Sequence, residues 1–183
     1  MSHKTKLLSL ALSAFSLALT GCASVGHHPA NQPEEQLASA LMHASSGQFT
    51  GAATLVGKGD KLALAIAVAN LPPGVHAVHL HMVGSCVAPD FASAGGHLNP
   101  DGHEHGRLNP KGKHLGDLPN LIVGRSGSGK LVAELEGSRR EDEAAIFDGD
   151  GTAIVIHAEP DDYRTDPTGN AGGRIACGVL RRF

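Results

Sequence analysis

The chain has 183 residues, with 15 lysines and arginines against 18 acids and a formal charge of −3 at neutral pH. That balance offers no basic face for nucleic acid, and with no tryptophan and Tyr163 as the one tyrosine there is no run of aromatics to act as a stacking platform. No internal repeat is present, and the part that reads as folded, about 135 residues, suffices for one core burying roughly two thirds of the unfolded chain's surface.

The N-terminus reads as a targeting signal. Lys4 and Lys6 give a positive start, Leu7 to Leu19 an uncharged run of Leu, Ala, Ser and Phe, and Gly21 a small residue ahead of Cys22. The run is too short to span a bilayer comfortably. Leu19-Thr20-Gly21-Cys22 is similar to a bacterial lipobox, in which the cysteine is lipidated and becomes the first mature residue; an ordinary cleaved signal with Cys22 incidental is the alternative. Residues 1–21 are thus expected to be a lipoprotein signal peptide, and their removal takes away Lys4 and Lys6 and no acid, moving the charge from −3 to −5. An exported chain with three cysteines needs a use for the odd one. Lipidation of Cys22 leaves Cys86 and Cys177 as a pair in an oxidising compartment. Their bridge closes a loop of about 90 residues, which chain entropy values at roughly 4 to 5 kcal/mol by a disputed mechanism.

Residues 22–47 mix Gly, Pro, Gln, Glu, Ala, Ser and His without sustained periodicity. They are expected to be a lipidated N-terminus and flexible tether, with a short helix around Glu35 to His43; the domain is placed at 48–183. There strand signals dominate, most clearly over Lys61 to Ala69, where Leu62, Leu64, Ile66 and Val68 alternate with alanines. Similar runs occur at Gln48 to Val56, Ala77 to Met82, Leu131 to Leu135, Ala153 to His157 and Ile175 to Leu180, between turns rich in Gly, Pro and Asn. The expected fold is all-β, an antiparallel sandwich or flattened barrel. Two long segments, Gly84 to Asn120 and Ala158 to Arg174, do not read as strands, and loops of that length in a compact domain are usually functional or disordered.

Those loops hold the chemistry. His79 and His81 are two apart on a strand, so both imidazoles leave one face while Leu80 points into the opposite layer. A lone His-x-His is weak evidence of ligation. The reading gains weight from His97, His105, His114 and Asp117 in the Gly- and Pro-rich loop and His157 at a strand end, too many convergent donors for a solvated face.

The stretches HAVHLHMVGSC, GGHLNPDGHEHGRLNPKGKHLGDLPN and AIVIHAEPDDY together resemble copper,zinc superoxide dismutase, and the resemblance runs residue by residue from about Gln48 to the C-terminus. It implies a Greek-key, immunoglobulin-like β-barrel or sandwich with two long functional loops. By the same resemblance His79, His81, His97 and His157 match the copper ligands, and His97, His105, His114 and Asp117 the zinc ligands, with His97 serving both. Imidazole suits either metal; three imidazoles and a carboxylate close a tetrahedral zinc site, and copper(II) accepts a tetragonal nitrogen array with a position left for substrate. A bridging His97 must lose both ring protons, which two adjacent cations make feasible at neutral pH. Asp161 matches the acid that links ligands of the two metals by accepting hydrogen bonds, with Asp162 as the alternative. Arg174 matches the arginine beside the open copper position, and Thr168 the residue that narrows the channel opposite. His76 matches a non-ligand position with a hydrogen-bonding role, and His103 reads as exposed although it lies two residues before His105 and could compete for zinc.

The resemblance implies an envelope lipoprotein of a bacterium, facing the periplasm and held to the membrane through Cys22, that converts superoxide to dioxygen and hydrogen peroxide with copper and zinc as cofactors. It leaves a homodimer open. Arg174 supplies a local positive feature that a net-negative chain needs in order to draw a small anion. A metal-buffering domain on the same fold is the rival reading, since fold does not fix function. A zinc hydrolase is disfavoured by the absence of HExxH and by four donors that leave zinc no vacancy. The sequence departs from the family where Met82 and Val83 follow the copper pair in place of the acid common in relatives.

Overall fold

The computed structural model describes residues 34–183; the signal, the lipobox and Cys22 lie outside them. Ten strands follow in chain order: β1 (Glu35–Ala44), β2 (Phe49–Lys58), β3 (Lys61–Val68), β4 (Gly74–His76), β5 (Val78–His81), β6 (Leu121–Val123), β7 (Gly129–Glu134), β8 (Ala153–His157), β9 (Arg174–Val179) and β10 (Arg181–Arg182). One helix, α1 (Arg139–Ile146), lies between β7 and β8. All strand pairs are antiparallel, in the order β4-β6-β7-β3-β2-β1-β9-β8-β5, with β10 on β1. The two ends of that order, β4 and β5, are separated in the chain by Ala77 alone, so the sheet curls into a nearly closed barrel. The non-consecutive neighbours β4–β6, β3–β7, β1–β9 and β5–β8 mark the crossovers of its Greek-key path. Among the described residues no helix is long and apolar enough to cross a membrane.

The period-two reading of Lys61 to Ala69 is observed directly, with Leu62, Leu64, Ile66 and Val68 all turned into the core. They meet Leu55 of β2, Leu80 of β5 and Ile154 and Ile156 of β8, fully buried aliphatic side chains that form the barrel interior. Burying each contributes about 1.5 to 3 kcal/mol. Because Leu80 is directed inward, His79 and His81 face outward, yet both are buried. What covers them is the long loop between β5 and β6, which carries one short 3-10 turn, Ala92–Ala94, and the loop between β8 and β9.

Two expectations are corrected. The segment expected to be helical, Glu35 to His43, is the strand β1, paired with β2 from Glu35↔Gly57 to His43↔Phe49 and with β9 and β10 on its other edge. Its Ala38, Ala40 and Met42 are buried two apart while Leu41 is exposed, a strand alternation that pairing on both sides stabilises against local helix propensity. The folded sheet accordingly begins at Glu35 and not at residue 48. The helix α1 was not expected; Ser138 caps its start, accepting from the Glu141 N–H at Oγ and donating its hydroxyl to the Glu141 carboxylate. Cys86 and Cys177 are bridged, tying the long loop to β9.

Candidate metal centre

His79 and His81 on β5, His97 in the long loop and His157 at the end of β8 bring one ring nitrogen each into a group whose atoms all lie within 4.8 Å of one another. In each ring one nitrogen is committed and the other is not. His79 Nε2–H donates to Asp161 Oδ2 (3.0 Å), His81 Nδ1–H to the Gly95 carbonyl (2.9 Å) and His157 Nδ1–H to the Gly172 carbonyl (3.3 Å). Their remaining atoms, His79 Nδ1, His81 Nε2 and His157 Nε2, together with His97 Nε2, are buried without a hydrogen-bond partner among the described residues. Buried polar atoms are rarely left so. Four unpaired lone pairs converging on one point are what a metal ion requires.

A second group shares His97. Asp117 Oδ1 lies 3.0 Å from His97 Nδ1, 3.0 Å from His105 Nδ1 and 3.1 Å from His114 Nδ1, and the His97 and His114 Nδ1 atoms are 3.3 Å apart. One carboxylate oxygen against three imidazole nitrogens, two of which also touch, is poor hydrogen-bond geometry. It matches a tetrahedron: donors about 2.0 Å from a central ion are about 3.3 Å from each other. The donors here that all lie within 4.8 Å of one another are His79, His97, His105 and Asp117; His79 Nε2–H is spent on Asp161, and His114, 3.1 Å from Asp117 and 3.3 Å from His97, completes the shorter edges. Asp117 Oδ2 is held by the backbone N–H groups of Gly106 (2.9 Å) and His114 (3.0 Å), which aims Oδ1 at the three rings.

Asp161 joins the two groups, accepting from His79 Nε2 at Oδ2 and from His105 Nε2 at Oδ1, both at 3.0 Å. The alternative, Asp162, is exposed and caps its own turn, accepting from Thr165 and Asn170; those hydrogen bonds hold its carboxyl down at about 2. Sequence reasoning missed three supports. Asn120 pairs with the Asp161 backbone through both its amide atoms. Asp166 accepts from the His105 N–H. Gly169, at φ +64°, lies where any Cβ would overlap Asp161 and His105. Glycine in the TGNAGG segment is the only sequence signal for the last.

The electrostatics divide the centre in two. Burial, with like charges alongside, depresses His81 to about 2, His157 to about 3 and His97 to about 4, so these rings are neutral at physiological pH. For His105 burial also acts downward, but the carboxylates of Asp117 and Asp161 on its two nitrogens raise it to about 9. Burial acts to raise the two acids, and their hydrogen bonds from the imidazoles outweigh it and hold both well below the usual carboxylate range. His76 is buried with its ring between the carbonyls of His157 (2.8 Å) and Pro72 (2.9 Å), a structural role, and His103 is exposed.

Residues 49–180 match the model of the copper/zinc superoxide dismutase family (SODC). The chain belongs to this family. A copper-zinc superoxide dismutase of Aquifex aeolicus is 41% identical over 140 residues, covering 75% of this chain and 82% of the relative. One from Caulobacter vibrioides is 39% identical over 150 residues, covering 79% and 85%. Among solved structures, a superoxide-dismutase-like protein from Bacillus subtilis superposes with a TM-score of 0.74 at 38% identity, over 80% of this chain and all of that one. The copper/zinc superoxide dismutases are oxidoreductases that act on superoxide and use copper and zinc, and in this member the buried groups His79, His81, His97, His157 and His79, His97, His105, Asp117 could hold metal ions.

Within this superoxide dismutase Arg174 opens β9 and is half-buried. Its guanidinium donates from Nη1 to the Phe91 carbonyl (2.6 Å) and from Nη2 to the Gly95 carbonyl (2.7 Å). Gly95 O thus receives both Arg174 and His81. After burial and neighbouring rings, the charge of Arg174 is a further influence keeping His81 and His157 neutral. Thr168 is exposed in the turn before Gly169, its carbonyl accepting from Ala171 N–H. Met82 is half-exposed and packs on Gly95.

Proposed function

We propose that copper is held by His79 Nδ1 and by Nε2 of His81, His97 and His157, and zinc by Asp117 Oδ1 and by Nδ1 of His97, His105 and His114, as the working centre of a superoxide dismutase. The observation that carries the reading is the set of buried, unpartnered imidazole nitrogens aimed at one point beside a tetrahedral donor set. Bound copper supplies electron exchange by alternating between two oxidation states, so that one superoxide is oxidised to dioxygen and a second reduced to hydrogen peroxide.

The chain's own residues do the rest. His97 has one ring nitrogen in each group, and its Nε2 is the atom that can take a proton at the reacting position and return it to the reduced oxygen species. Its Nδ1 side is fixed by Asp117 and His114, so the ring turns little while the proton moves. Asp161 sets the tautomers of His79 and His105 and keeps the two donor sets in register. Arg174 attracts and orients the anion, and Thr168 narrows the approach from the opposite side. A metal-buffering domain would dispense with a copper donor or with Arg174, and this chain has both. Purified mature protein is expected to carry copper and zinc in equal amounts and to consume superoxide in proportion to its copper. A chain with both metals filled that consumes none overturns the reading.

Zinc and copper uptake are expected to differ in pH dependence. A ring whose pKa is raised to about 9 stays protonated below that value, and zinc must displace the His105 Nδ1 proton. Zinc affinity of the metal-free protein therefore rises about tenfold per pH unit through the neutral range. Three of the copper rings, His81, His157 and His97, are depressed to between about 2 and about 4 and already neutral, so copper affinity rises with pH less steeply than zinc affinity. Competition titrations at several pH values check this, and a flat zinc profile would contradict it.

The same proposal places the protein in the bacterial cell envelope, facing the periplasm and lipid-anchored through Cys22, where it removes superoxide before it damages the envelope. Support comes from the basic, apolar and small-residue order of residues 1–22 and from a disulfide suited to an oxidising compartment. Cys22→Ser is expected to move the protein from the detergent phase to the aqueous phase, or to leave it as uncleaved precursor. Unchanged partitioning would sink the anchor.

A further inference from the structure

Phe91 is the only buried phenylalanine among the described residues, at 2% exposure, and it lies outside the barrel interior. Its ring joins a second, smaller apolar cluster with Ala94 of the long loop, Ala153 and Val155 of β8 and Cys177 of β9, and Cys86 packs against it. Val155 is the pairing partner of both His79 on β5 and Cys177 on β9. Directly opposed residues share a face of the sheet, so this cluster lies on the outward face that also carries His79.

The backbone at Phe91 is as unusual as its burial. At φ 54° and ψ 24° it is in the left-handed region, which a residue with a bulky side chain rarely adopts and whose cost the buried ring must offset. The conformation has a use. Phe91 precedes the 3-10 turn Ala92–Ala94, and Gly95, at φ 74°, follows it. These two bracketing residues are the ones whose carbonyls receive the Arg174 guanidinium, Phe91 O from Nη1 at 2.6 Å and Gly95 O from Nη2 at 2.7 Å. Bonds within the turn, Ala94 N–H to Phe91 O (3.1 Å) and Gly95 N–H to Ala92 O (3.0 Å), set the spacing of the two carbonyls. They do not set where the turn sits on the sheet. At its far end Val83 N–H and Met82 N–H hold Ala94 O and Gly96 O (3.1 and 3.0 Å); at the near end the anchor is the Phe91 ring, beside the Cys86–Cys177 bridge.

We propose that Phe91 is a positioning residue for the reaction: its ring pins the turn to β8 and β9, the two carbonyls thereby aim the Arg174 guanidinium, and the aimed guanidinium draws superoxide in. The inference rests on the reading of Arg174 as the group that attracts and orients the anion. A guanidinium is a rigid planar fork, so the direction and spacing of its two acceptors decide where its charge lies. A turn freed to slide leaves that charge in the protein and misplaces it.

The test uses the intact protein with both metals bound, compared at matched copper content. Phe91→Gly removes the ring while making the left-handed backbone free of strain, and it is expected to lower the second-order rate with superoxide by about 3- to 10-fold, less than loss of the guanidinium itself. Its rate should also fall less steeply with ionic strength than the parent's. Azide, a small anion followed through the copper(II) absorption it perturbs, should bind more weakly by a similar factor. Phe91→Leu keeps apolar volume at the site and is expected to lose roughly twofold; it carries the test if the glycine variant folds poorly. The deciding measurement is the double variant with Arg174→Gln. A ring that acts through Arg174 leaves the double variant no slower than Arg174→Gln alone, whereas a merely structural role adds its own loss. Losses that multiply, or a parental rate, salt slope and azide affinity in both Phe91 variants, overturn the inference. An Arg174→Gln variant that matches the parent would instead overturn the role of Arg174 beneath it, and the inference with it.

Discussion

His157→Ala is expected to abolish superoxide consumption and strip copper while leaving zinc and the barrel in place. His157 Nε2 is one of four buried nitrogens directed at the copper position, and no carboxylate or other zinc-side donor is bonded to its ring; its Nδ1–H goes to the Gly172 carbonyl. The backbone at 157 is secured independently, with its N–H donating to Ala77 O at 2.9 Å, so β8 keeps its place. Loss of a group outside the coordination sphere typically costs 10- to 100-fold in metal affinity; loss of a donor within it should cost more, enough to empty the site at ordinary copper concentrations. His79→Ala should do the same to copper and also release Asp161 Oδ2, loosening His105. It is therefore expected to weaken zinc modestly, a difference between the two variants that metal analysis can resolve. Full activity and parental copper content in His157→Ala would refute the ligand set.

How much of this could be read before the fold was known depends on how local the cause is. β3 is legible because Leu62, Leu64, Ile66 and Val68 announce a period of two. β1 is not, because Glu, Leu, Ala and Met are all good helix formers; what makes it a strand is its pairing with β2, β9 and β10, distant in sequence. β4 and β6, three residues each, are too short for periodicity to register. The helix α1 left a local mark, Ser138 three residues before Glu141, that a search confined to strands passes over. The site follows the same rule. The donor residues are legible from type and spacing, but whether Nδ1 or Nε2 faces the metal is set by the hydrogen bond each ring makes elsewhere. The choice between Asp161 and Asp162, adjacent and chemically identical, is made by the turn that sends one side chain inward to His79 and His105 and the other out to Thr165.

Arg174→Gln is expected to lower the second-order rate with superoxide by about 10- to 100-fold, the lower part of the roughly 10- to 1,000-fold that electrostatic focusing contributes to on-rates. The whole chain is net negative at −3, so a superoxide anion gains nothing from the global field and depends on positive charge at the site itself. Two unit charges 4 Å apart interact by about 4 kcal/mol at an effective dielectric of about 20, and water and salt reduce this considerably. The structure adds a complication, since the guanidinium also clamps the loop through the Phe91 and Gly95 carbonyls, and removing it takes away both charge and clamp. Arg174→Lys separates the two, because it keeps the charge but cannot reproduce the planar fork. If charge governs, the lysine variant retains most of the rate and the glutamine variant does not, at equal copper content. Salt provides the second readout. With a screening length of about 10 Å at 0.1 M, the parent and the lysine variant should slow as ionic strength rises and masks their local positive field. The glutamine variant, left with the net negative chain, should respond weakly or accelerate. A glutamine variant that matches the parent in rate and in salt dependence would reduce Arg174 to a loop clamp and leave the attraction of superoxide to the copper site alone.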